Sequence, residues 1–151
     1  MQSRMTHVIQ VLPDVMTAMQ GLSAAAKDSG VDEKLLELVS LRASQINGCS
    51  VCAVAHPKLA RKLGETDDRI FAVGAWRDAP YFTDAERAAL ALTESVTRIA
   101  DSQDPVPDAI WDDAARHYDE KQLAGLITAI VSINVWNRLN VATRQVAGQA
   151  W

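Results

Sequence analysis

The chain of 151 residues holds only two cysteines, Cys49 and Cys52, which excludes a secreted scaffold stapled by several disulfides. No apolar run approaches the roughly 20 residues that a membrane-spanning helix needs. The Val8–Val11 run near the start is too short and interrupted for a signal-peptide core. There is no basic excess: 15 Lys and Arg stand against 19 Asp and Glu, a formal charge of -4, so the footprint of a general nucleic-acid binder is missing. Internal repeats, low-complexity tracts and long linkers are absent, as is the sustained period-two alternation of half-buried strands. These absences leave one expectation: a cytoplasmic single domain spanning residues 1–151, with no nucleic-acid and no membrane partner. At this length a core forms without help from disulfides or metals.

What is present is helical. Apolar residues recur at three- and four-residue steps, and Ala and Leu are abundant. Punctuation divides the chain into seven or eight helices. Pro13 opens the first, which runs to about Lys27. A second spans roughly Asp32 to Ile46 and stops at Asn47-Gly48. A third begins at Cys49, meets Pro57 and ends near Gly64; Pro57 predicts a kink or a break. Thr66 caps a short helix to about Ala75, and Trp76–Phe82 reads as a loop. Thr83 and Glu86 form a capping box that opens a helix to about Ala100. Asp108–Tyr118 and Glu120–Val146 close the chain, the latter as one helix or two. That last segment is apolar nearly all round, which predicts a central helix or an oligomer interface.

One group of residues carries chemistry: Glu37, Cys49, Cys52 and His56. Two Cys at i and i+3 share a helical face and are close enough to form a disulfide. Gly48 directly precedes them, so Cys49 falls at a helix N-terminus, where free N–H groups and the helix dipole favour a thiolate. His56 follows one turn after Cys52 on the same face and is placed to exchange a proton with a thiol. Glu37 is distant in sequence, but a helical hairpin about Asn47-Gly48 brings position 37 opposite about position 58, within one turn of His56.

The pattern Glu-x11-Cys-x2-Cys-x3-His resembles the carboxymuconolactone decarboxylase/alkyl hydroperoxidase D superfamily, in its cysteine-containing AhpD-like branch. The resemblance runs through Leu35–Val39, Leu41–Cys52, His56, Ala75–Arg77 and Thr83–Glu94, and more weakly through Trp136–Leu139. It implies an all-α, compact multi-helix fold, a homo-oligomer (trimer or hexamer), and a thiol-dependent peroxidase with no bound cofactor. In that reading Cys52 is the peroxidatic thiolate, Cys49 the resolving thiol, and His56 and Glu37 the proton relay. A peroxide is the substrate and an external thiol or dithiol the electron donor. Val51 departs from the pattern, because the best-known peroxidases carry a His there. Other readings of the residues stay open: a metal-binding or redox-sensing module, or a lyase of the decarboxylase branch.

Further residues invite a role. Trp76, Tyr81 and Phe82 flank a Pro-containing loop; they are candidates to line an apolar substrate mouth above the Cys pair, or else pack the loop onto the core or a subunit interface. Asn134, Asn137 and Asn140 recur every three residues and either hydrogen-bond between buried helices or face solvent. His117 reads as a cation at a helix end, His7 as an exposed terminal residue, and Trp151 as either a cover for an oligomer seam or a disordered end.

Overall fold

A computed structural model describes residues 2–148, so Trp151 lies outside the described residues. Among the described residues eight α-helices form: α1 (Val8–Val11), α2 (Pro13–Lys27), α3 (Glu33–Ile46), α4 (Ser50–Lys62), α5 (Asp67–Ala72), α6 (Asp84–Thr97), α7 (Asp108–His117) and α8 (Glu120–Thr143). Short 3-10 turns follow α5 and α6, and no strand forms among the described residues. None of these helices is long and apolar enough to cross a membrane.

The helix ends follow local chemistry. Asp32 caps α3 by accepting the Lys34 N–H, and Thr66 caps α5 through the Arg69 N–H. Thr83 with Glu86, and Asp119 with Gln122, complete capping boxes on α6 and α8. Gly48 takes the left-handed conformation at φ 66°, which lets the chain leave α3 and re-enter α4 after a single extended residue, Cys49.

Packing decides between open alternatives at two helices. The α4 helix is not broken into two at Pro57. It continues unbroken to Lys62, because both halves lie along α3, the most extensive helix pair in the fold. The C-terminal segment is one helix of 24 residues, and it stops at Thr143 rather than Val146, where Arg144 turns left-handed at φ 53°. A short helix, α1, was not expected at all; four residues carry too little periodicity to register.

Helix α8 is the central element, packed against α2, α3, α4, α6 and α7. Leu126 and Ile130 are fully buried in the main core with Val39, Leu92 and Ala114. Gly125 lets α8 approach the end of α2: a Cβ there would lie 2.1 Å from Ser29 Oγ. A second core gathers Leu38, Leu41, Ile70, Trp76, Phe82 and Leu90. A third is small and sets the functional region: Ala43, Cys49, Val51, Cys52 and Ile133, with Trp136 against its edge.

Candidate active site

The α3–α4 hairpin builds the site. Cys49 is the N-cap residue of α4, and its Sγ accepts the backbone N–H of Cys52 at 3.3 Å. Both sulfurs are free thiols and almost fully buried, at 1% and 5% exposure. The Cys52 thiol donates to Cys49, and this contact dominates the charge balance of the pair. It lowers Cys49 to about 6 against the opposing effect of burial, with help from the Cys52 N–H, Asn140 and Asn137. Cys52 is pushed up by the same hydrogen bond, by burial and by the charge on Cys49. The pair is thus drawn toward sharing one proton, and the Cys52 N–H aimed at Cys49 Sγ favours the charge on Cys49.

The hairpin brings Glu37 Oε2 to 2.7 Å from His56 Nδ1, the juxtaposition its turn geometry requires. A carboxylate only accepts, so Nδ1–H donates and Nε2 is left as the acceptor of the ring. His56 and Cys52 line one cavity of about 130 Å³ with Val51, Ala55, Ile133, Trp136 and Asn140. That volume holds a water or a small reactant. The Glu37–His56 pair also lines a second cavity of about 110 Å³ that includes Leu36, Ser132 and Trp136. A larger cavity of about 340 Å³ opens at Cys49, bordered by Gly48, Ser50, Asn140 and Arg144. Among the described residues, no group of three or more His, Cys, Asp or Glu is arranged to hold a metal ion.

An asparagine seam fixes the hairpin to α8. Asn47, which ends α3, donates to the Oδ1 atoms of Asn134 (2.9 Å) and Asn137 (2.8 Å). Asn137 in turn donates to Ser44 Oγ at 3.1 Å, and Asn140 donates to Cys52 Sγ at 3.4 Å. The every-third-residue spacing thus serves buried hydrogen bonds, and one of them ends on a sulfur.

Trp76, Tyr81 and Phe82 do not line a mouth above the Cys pair; for Trp76 and Phe82 the core-packing alternative holds. Trp76 and Phe82 are buried in the second core, and the cavities at the sulfurs are lined by other residues. The reason is bonding: Trp76 Nε1 donates to the buried Glu94 at 2.9 Å, and Arg69 lies over the Phe82 ring at 5.1 Å. Tyr81 is half exposed, and its carbonyl accepts from Arg69. The aromatic side chain beside the sulfurs is Trp136, which lines two of the cavities. His7 is also corrected: it is 3% exposed, and its Nε2 lies 2.9 Å from Asn140 Oδ1. Neither stands at a catalytic spacing in the sequence: Trp136 reaches the site on α8, and His7 on an N-terminal segment hydrogen-bonded to the end of α8. His117 does end α7, exposed, as expected.

An all-helical body with a Cys-x-x-Cys at a helix start and a carboxylate–imidazole pair behind it defines a class, and comparison with known proteins identifies it. The carboxymuconolactone decarboxylase family model matches residues 13–95, and the chain belongs to that family. The uncharacterized protein YdfG of Bacillus subtilis (strain 168) is 36% identical over 140 residues, covering 93% of this chain and 94% of YdfG. The crystal structure of ATU0492 from Agrobacterium tumefaciens is similar with a TM-score of 0.89 and 30% identity, over 99% of this chain and 100% of that one. ATU0492 is described as a protein of unknown function whose name suggests an AhpD role in antioxidant defence. The debrominase Bmp8, in complex with 2,3,4-tribromopyrrole, shares the fold at a TM-score of 0.80 and 20% identity, over 90% of this chain and 72% of that one.

Proposed function

We propose that the protein is a thiol-dependent peroxide reductase in which Cys49 and Cys52 cycle between dithiol and disulfide. The observation that carries the reading is the 2.7 Å Glu37–His56 pair beside two adjacent buried thiols. His56 Nε2 takes the Cys52 proton through their shared cavity, and Glu37 stabilises the imidazolium. The Cys52 thiolate attacks the peroxide, the O–O bond breaks, and the departing alkoxide takes the proton back from His56. Cys52 is now a sulfenic acid. The Cys49 thiolate attacks its sulfur and hydroxide leaves, drawing a proton from solvent to depart as water. An external dithiol supplies two electrons by exchange with the disulfide. No bound cofactor takes part. Exposed apolar side chains such as Phe71, Leu59 and Val131 support assembly into a trimer or hexamer. A reducing cytoplasm would keep the resting dithiol.

A second reading is favoured by the charge on Cys49 and by the larger cavity at that sulfur. Here Cys49 attacks first, and Cys52, whose thiol already faces it, resolves. Intact mass after one equivalent of peroxide tests the common claim: a loss of two hydrogens is expected, and an unchanged mass overturns it. Dimedone trapping orders the sulfurs. Label on Cys52 in the Cys49→Ser variant supports the first reading. Label confined to Cys49 in Cys52→Ser supports the second.

A further inference from the structure

Residues 2–7 form a strap that runs back over the end of α8. The Arg4 N–H donates to the Thr143 carbonyl at 2.9 Å, and Arg4 Nη1 donates to the Ala142 carbonyl at 3.0 Å. Gln145 Nε2 reaches the Met5 carbonyl at 3.2 Å. This pinning delivers His7 into the interior, where the Trp136 ring lies tilted 6.1 Å away. His7 Nδ1 accepts the Ile9 N–H at 3.2 Å, capping α1. A ring nitrogen that accepts carries no proton, so the proton of the neutral ring is on Nε2, facing Asn140 Oδ1 at 2.9 Å. The amide is thereby oriented: its oxygen points to His7, and its Nδ2 points to Cys52 Sγ at 3.4 Å.

We propose that His7 is a positioning residue of the thiol pair, locking the Asn140 amide so that it presents an N–H, and not a lone pair, to the Cys52 sulfur. Three buried groups then form one directional chain, from the Ile9 N–H through imidazole and amide to sulfur. Each donor polarises the next. When Cys52 gives up its proton, the amide N–H stabilises the new charge. Without the ring, the amide is free to turn end for end, and its oxygen would oppose that charge. The ionisable groups around the thiol pair are Cys49 at the N-cap of α4, His56 one turn beyond Cys52 with Glu37 of α3 behind it, His7 from the strap, and Arg144 at the cavity beside Cys49. The Asn140 hydrogen bond favours the charged form of both thiols, in keeping with this role.

The inference deepens the redox reading and rests on it, but its test is separate. In the full chain carrying Cys49→Ser, Cys52 is the single thiol, and its pKa is read from alkylation rate against pH. His7→Phe keeps ring shape without a donor; it is expected to raise that pKa by about one unit, slowing alkylation near neutral pH roughly tenfold. His7→Asn, which caps α1 but is too short to reach Asn140, is expected to do the same if the Phe variant does not fold. His7→Gln keeps an N–H toward Asn140 and is expected to stay within about twofold of the parent. In an Asn140→Ala background, His7→Phe is expected to add nothing. Equal effects of Gln and Phe, additive effects of His7 and Asn140, or no change in any variant would overturn the proposal. Failure of the parent pair to close with peroxide would instead count against the redox reading alone.

Discussion

Glu37 Oε2 and His56 Nδ1 lie 2.7 Å apart across two antiparallel helices, 19 positions apart in the chain. The contact holds one imidazole tautomer in front of Cys52. Glu37→Gln keeps the shape and removes the charge that supports an imidazolium. Peroxide-dependent thiol consumption is expected to fall about tenfold to a hundredfold, with His56→Ala falling at least as far. Steady-state assays of both variants at saturating dithiol check this. Full activity in Glu37→Gln would remove the relay from the mechanism.

The resting charge gives a second, spectroscopic expectation. Cys49 is an acid with its pKa depressed to about 6, so thiolate absorbance near 240 nm is expected to rise through that value as pH increases. One thiolate forms in this step, because the pair holds its second proton far more tightly once the first is lost. Cys49→Ser is expected to abolish the low-pH step. Cys52→Ser is expected to weaken it by removing the thiol that donates to Cys49.

Glu94 concentrates the structural electrostatics. Burial raises its carboxyl, but the Trp76 indole N–H and the guanidinium groups of Arg42 and Arg77 outweigh that and hold it below the usual range. A carboxyl depressed in the folded state stabilises the fold fully above its unfolded pKa of about 4.3, and the stabilisation disappears as pH falls through the folded value. Urea unfolding at pH 7 and pH 3 is expected to show a smaller drop in Glu94→Gln than in the parent. At pH 7 the variant is expected to be less stable by about 3 kcal/mol, because Arg42 is left largely buried and unpaired.

Gly125 tests the seat of α8 on α2. A Cβ at this position would lie 2.1 Å from Ser29 Oγ and 3.3 Å from the Ala26 carbonyl. Gly125→Ala is expected to destabilise by about 1–3 kcal/mol despite the better helix propensity of alanine. Adding Ser29→Gly is expected to recover part of the loss in thermal unfolding, since the close atoms belong to that side chain.

The residues themselves determined that the chain is helical, where most helices start, and that Cys49, Cys52, His56 and Glu37 belong together. The information was local. Capping residues, Gly48 and the three- and four-residue steps act within one or two turns, and a hairpin converts the spacing of Glu37 and His56 into a contact by helix rise alone. Only the tertiary structure decided that His7 and Trp136 stand beside the sulfurs, that Asn140 turns its N–H toward Cys52, and that Trp76 and Phe82 belong to another core. It also decided which hydrogen-bond donors each sulfur receives. These depend on which helix faces meet across α8 and on burial that lowers the local dielectric. Neither is a property of any short stretch of sequence.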